Sequence, residues 1–250
     1  MPPLRIAVLE CDTPQPQTRA KYGGYGAVFE ALLLAGADLL GKDETKPELD
    51  VTKWDVVNTE TYPALEDIDA VLISGGKYNS FDNSPWILKL VEFIRHVFES
   101  QTRVKVIGVC FGHQIIGRAL GAKVDRSDEG WEVSVTPMEL SKRGKELFGI
   151  DRVMNLHQMH RDIVYYYPEG VEQLGSTNLC SVQGMYAKDK LISVQGHPEF
   201  TPQIIHEILQ VRHAAGIFTD DVFNDGVKRA DNKHDGVIVA KAFLKFVLYG

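Results

Sequence analysis

A cysteine, a histidine and a glutamate stand in this sequence where a thiol nucleophile, its base and an orienting carboxylate would be needed. Cys110 lies within Lys105-Val-Ile-Gly-Val-Cys110-Phe-Gly-His-Gln-Ile-Ile-Gly-Arg-Ala-Leu120, a β-branched run, a tight turn and then a helical pattern. Gly196-His197-Pro198-Glu199 follows a second apolar run, residues 191–195. A thiol becomes a strong nucleophile when a base takes its proton, and the base works best when a third group holds its ring. Cys110, His197 and Glu199 supply one candidate for each role, and the chemistry they point to is acyl transfer.

Such residues need a scaffold that brings them together. Buried-strand signals recur at residues 4–9, 70–74, 105–109 and 191–195, and helical patterns lie between several of them. The clearest is Pro85–Ser100, with Ile87, Leu90, Val91, Ile94 and Phe98 on one face and a proline where a first helical turn tolerates it. Residues 27–35, 111–120, the stretch after Pro202 and the tail 237–248 also read as helical. This alternation predicts an α/β fold, a mainly parallel sheet covered by helices on both faces. Residues 122–187 change character: strand-like pieces at 131–136, 151–156, 171–176 and 181–187 come close together with little helix. They predict a small antiparallel insertion or edge. Residues 42–48 read as a loop, and no linker divides the chain, so residues 1–250 are expected to form one domain.

In a parallel sheet, reactive groups gather at the carboxyl ends of the strands. Cys110 is expected on a strand-to-helix elbow, with Gly108 and Gly112 relieving the crowding and the helix amino terminus favouring the thiolate. Ser74-Gly75-Gly76 ends the preceding strand, where Gly76 can present an N–H to a developing oxyanion; the N–H of Phe111 is the second donor. His-x-Glu could also be two metal ligands, but no second His or Asp pair stands at matching spacing, so no metal or cofactor is expected. Cys11 and Cys180 read as packing thiols, and His113, His157 and His160 as loop or packing histidines.

Composition bounds the rest. The chain has 250 residues, 44% of them apolar, with a net charge of −7. The absence of a long basic run argues against nucleic acid as a partner. Three widely spaced cysteines fit no disulfide framework, so a reducing, cytoplasmic compartment is expected. The amino terminus reads as a first strand and not a signal peptide, and the apolar tail is too short to span a bilayer, so no membrane role is expected.

The three motifs, in this order, resemble the class I, triad-type glutamine amidotransferases, which carry Ser-Gly-Gly, Gly-x-Cys-x-Gly-x-Gln and Gly-His-Pro-Glu. The likeness spans most of the chain and is similar in detail to standalone fungal amidotransferase-like proteins and plant γ-glutamyl peptidases. Tyr22-Gly-Gly-Tyr-Gly26 and Asp82-x-x-Pro85-Trp86 share in it. The resemblance implies a flavodoxin-like fold and hydrolysis of a γ-glutamyl amide through a thioester on Cys110. His197 would shuttle the proton, Glu199 would orient it, and Gly76 and Phe111 would hold the oxyanion. Gln114 matches the family's contact to the amino-acid end of the substrate. Met159-His160-Arg161-Asp162 matches a substrate-holding Ser-His-x-Asp loop, with Met159 in place of Ser. The implied substrate is a small γ-glutamyl compound, glutamine or a γ-glutamyl peptide such as glutathione or its conjugates. An ammonia-accepting synthetase subunit is the implied candidate partner. Arg161 either pairs with Asp162 or another surface acid, or receives the terminal carboxylate of a peptide substrate. A reading of another class is a non-catalytic binding or scaffold domain.

Overall fold

The computed structural model describes residues 2–42 and 44–250. In chain order the first half contains β1 (Leu4–Glu10), α1 (Pro16–Tyr22), α2 (Tyr25–Leu40), β2 (Leu49–Asp55), β3 (Ala70–Ile73), α3 (Pro85–Ser100), β4 (Lys105–Val109) and α4 (Phe111–Ala119). The second half contains β5 (Val124–Arg126), β6 (Glu132–Leu140), α5 (Lys142–Phe148), β7 (Met154–His160), β8 (Asp162–Val164), β9 (Glu172–Ser176), β10 (Gly184–Ala187) and β11 (Leu191–Val194). Three helices close the chain: α6 (Pro202–Ala214), α7 (Asp220–Arg229) and α8 (Gly236–Tyr249).

β3, β4 and β11, buried almost throughout, pair in parallel with one another. The nine-stranded sheet runs β2-β1-β3-β4-β11-β10-β9-β6-β7. The pairs from β2 through β11 are parallel, and those from β11 outward to β7 are antiparallel. The expected α/β sheet and its antiparallel edge are both present. A separate two-stranded sheet, β5 with β8, lies beside them.

Side chains alternate across the sheet, as a period of two demands. Leu4, Ile6 and Val8 of β1 join α2 and α8 in one apolar cluster. Ala7 and Leu9 point the other way and join α3 and α4 in another. On α3 the buried stripe is Ile87, Leu90, Val91, Ile94 and Val97, while Phe98 is only partly buried. A third cluster, from Val133, Met159, Phe200 and Ile204 to Phe218, lies under α6 and α7. Of residues 42–48 the described ones form no helix or strand, as expected of a loop; Asp43, like Met1 of the first-strand segment, lies outside the described residues.

The antiparallel half curls back over the end of β11. His157 of β7 and His197 form an isolated antiparallel bridge, with the His197 N–H donating to the His157 carbonyl at 2.7 Å. This contact pins the turn that carries His197, although β7 is the last strand in the sheet order.

Candidate active site

β4 ends at Val109 and α4 starts at Phe111, so Cys110 alone makes the turn between them. Its φ of 51° and ψ of −102° lie where L-residues other than glycine are rarely found. Two features hold it there. Its N–H donates to the Val194 carbonyl of β11 at 3.0 Å, and its carbonyl accepts the Gln114 N–H at 3.1 Å. The flanking glycines are required by space. A Cβ on Gly112 would collide with the Ile73 carbonyl, and one on Gly108 would stand 2.8 Å from the Gly112 oxygen. Strain at this position predicts an inverted stability order. Cys110→Gly, free to adopt the positive φ, is expected to unfold at higher urea than Cys110→Ala, by about 1–2 kcal/mol. The usual order, Ala above Gly, would show the elbow to be unstrained in solution.

β11 delivers the histidine. His197 Nδ1 lies 2.7 Å from Glu199 Oε1, and its ring stacks on Phe200 at 3.9 Å and 11°. The other ring nitrogen is then free for Cys110, which lies within hydrogen-bond reach. Gly75 marks where the two meet: a Cβ there would stand 2.7 Å from His197 Cε1 and 3.7 Å from Cys110 Cβ. Cys110, His197 and Glu199 are all buried. Burial acts to lower the His197 pKa, but the charges of Cys110 and Glu199 outweigh it and raise the value to about 10.

These three residues line one cleft of about 410 Å³, together with Gly76, Gln114, Met159, His160 and Arg161. Phe111 opens α4, where a backbone N–H has no acceptor within the helix; its ring packs on Trp86 at 5.6 Å. Gly76 sits tightly against the Cys11 carbonyl, 2.9 Å from where its Cβ would be.

The remaining site residues differ in what they touch. Gln114 is fully engaged: Oε1 accepts Ser80 Oγ at 2.9 Å, and Nε2 donates to the Asp162 carbonyl at 2.8 Å and to Gln195 Oε1 at 3.1 Å. Met159 and His160 end strand β7 and do not lie on a loop. His160 Nε2 sits 3.1 Å from Glu132 Oε2, but out of line for a hydrogen bond. Asp162 pairs with Arg126 at 3.1 Å and not with Arg161. The Arg161 guanidinium instead lies over the Trp131 ring, 5.1 Å from its centre.

His113 and His157 are buried strand and helix residues, not loop residues, and burial holds both near a pKa of about 3. His113 bonds Ser193 at 2.9 Å, away from the cleft. Cys11 and Cys180 are buried, with burial raising both thiols, Cys180 to about 12. They fit the packing reading.

Three participants went unread in the sequence: Phe200, Trp131 and Arg212. Arg212 had a signal. It stands four residues after Ile208 and three after Leu209, a charge continuing the apolar face of α6 at its last turn.

Comparison with known proteins identifies the family. The profile of the family described as glutamine amidotransferase class-I matches residues 43–212. A glutamine amidotransferase-like protein of Schizosaccharomyces pombe is 34% identical, covering 97% of this chain and 98% of its own. Gamma-glutamyl peptidase 4 of Arabidopsis thaliana is 33% identical over 82% of this chain and 79% of its own. A solved glutamine amidotransferase of Thermotoga maritima shares the fold, with a TM-score of 0.74, 15% identity and 99% of each chain covered. The chain therefore belongs to the class I glutamine amidotransferase family.

Proposed function

We propose that this protein hydrolyses γ-glutamyl amides through a thioester on Cys110. The observation that carries the reading is the strained elbow at Cys110 facing a histidine whose far nitrogen is bonded to Glu199 at 2.7 Å. His197 takes the Cys110 thiol proton, the freed sulfur pair attacks the γ-carbonyl carbon, and the C=O electrons move onto oxygen. The backbone N–H groups of Gly76 and Phe111 receive that oxyanion. Its collapse breaks the C–N bond, and the leaving nitrogen takes the proton from His197. His197 next removes a proton from water, whose oxygen attacks the thioester carbonyl. Glutamate leaves, and the sulfur recovers its proton from His197. Glu199 holds the ring in one tautomer and stabilises its charge throughout.

Two leaving groups suit this chemistry: ammonia from glutamine, and the α-amine of a peptide joined to the γ-carboxyl. Relatives named as glutamine amidotransferase-like proteins and as γ-glutamyl peptidases support both. The test offers a glutamine analogue with an electrophilic carbon at the γ-position. Stoichiometric labelling of Cys110, blocked by γ-glutamyl substrates, is the expected result. An inert thiol in folded protein would favour the scaffold reading. Glutamine and glutathione offered side by side then separate ammonia release from dipeptide release.

A further inference from the structure

Two guanidiniums lie over one indole ring at the cleft. Arg161 is 5.1 Å and Arg212 4.8 Å from the centre of Trp131. The other cations of the cleft are matched by acids, Lys77 by Asp12 at 2.8 Å and Arg126 by Asp162 at 3.1 Å. Among the described residues neither Arg161 nor Arg212 has a carboxylate partner. The Nη1 of Arg212 is buried with no hydrogen bond. Two like charges on one ring, one with a buried orphan donor, form a costly arrangement until an anion joins them.

Their position tells which anion. The general acid must face the departing nitrogen, so the leaving group lies on the His197 side of Cys110. Arg212, on the last turn of α6, and Arg161 line the same cleft as Cys110, His197 and Phe200. Val211 and Ile217, beside Arg212, are 41% and 50% exposed and mark the open rim. Ammonia leaving from glutamine has nothing to place there. A peptide does, and it ends in a carboxylate that a guanidinium fork can grip through two parallel hydrogen bonds.

We propose that Arg161 and Arg212, held over Trp131, form a subsite for the terminal carboxylate of the leaving group, making a γ-glutamyl peptide with a free carboxyl end the preferred substrate. This rests on the reading of Cys110 as nucleophile toward γ-glutamyl amides. The test separates the two. Binding of γ-Glu-Cys-Gly and of its C-terminal amide to Cys110→Ala is measured by calorimetry. The acid is expected to bind about tenfold or more tightly than the amide. Adding Arg212→Gln should bring that ratio close to one, and Arg212→Lys, which keeps charge but loses the fork, should give an intermediate ratio. Equal binding of acid and amide, no binding of either, or an acid preference surviving both Arg212→Gln and Arg161→Gln would overturn the subsite. The acid–amide comparison in Cys110→Ala stands even where the arginine variants do not fold. Turnover by the unsubstituted protein reads the chemistry by itself. Acid-selective binding without hydrolysis would sink the nucleophile and spare the subsite; hydrolysis with no acid preference would do the reverse.

Discussion

Cys110→Ala is expected to lose turnover of every γ-glutamyl amide by about 10⁶-fold, the scale seen when a covalent nucleophile is removed. No other thiol can replace it. Cys11 and Cys180 are buried and held protonated by that burial. The fold should survive, because the substitution removes one small atom at a backbone turn fixed by its own N–H and carbonyl bonds. Circular dichroism and the unfolding midpoint check the fold, and a discontinuous product assay checks the rate. Residual turnover near that of the unsubstituted protein would remove the central claim. The same variant reports on the histidine. Without the Cys110 charge, only Glu199 opposes the burial of His197, so the His197 titration midpoint should fall from about 10.

His197→Ala is expected to cost about 10²–10⁴-fold, the usual worth of general acid–base assistance. The loss should sit in the acylation step, where the leaving nitrogen needs a proton, so substrates with poor leaving groups suffer most. Glu199→Gln should cost less, since it leaves the ring in place and removes only its orientation and charge partner. The sign of the pH effect follows from the raised pKa. Stabilisation from charged His197 is complete below histidine's ordinary value of 6.5 and is lost as pH rises through about 10. Unfolding curves at pH 7 and near pH 10.5 should differ less in His197→Ala than in the parent. An undiminished pH dependence would show that other groups carry it.

Much of the scaffold could be read from apolar patterning because the strands that carry the site are buried on both faces. β3 and β11 are buried throughout and β4 is buried after Lys105, and each ends at a motif. β2 escaped because it is an edge strand with charged residues at Asp50, Lys53 and Asp55 and little burial. α5 escaped for a related reason: it is short and buries few side chains. α7 carries a short apolar stripe, Val222, Phe223 and Val227, packed on the third cluster, but it is set among charged residues. The proposed triad, Cys110, His197 and Glu199, was legible because each member is tied to a short local motif. The cleft rim was not. Trp131 sits on the approach to β6 and Arg212 on α6, more than eighty residues downstream. Their meeting depends on how the antiparallel half folds over β11, which no local spacing encodes. The same folding carried Met159 and His160 onto a strand.

The glycine contacts around the elbow divide the molecule into a part that is hard to alter and a part that is free to diverge. Gly112 presses on the Ile73 carbonyl, and Gly108 on the Gly112 backbone and the Ile116 side chain, so Cys110 is located largely by main chain against main chain. The rim, by contrast, is all side chain: Trp131, Arg161, Val211, Arg212 and Ile217. Descent from a common ancestor can therefore rewrite the rim one surface residue at a time while the Cys110 elbow passes unchanged. Directed evolution for new γ-glutamyl substrates would do best to randomise that rim and leave the elbow untouched.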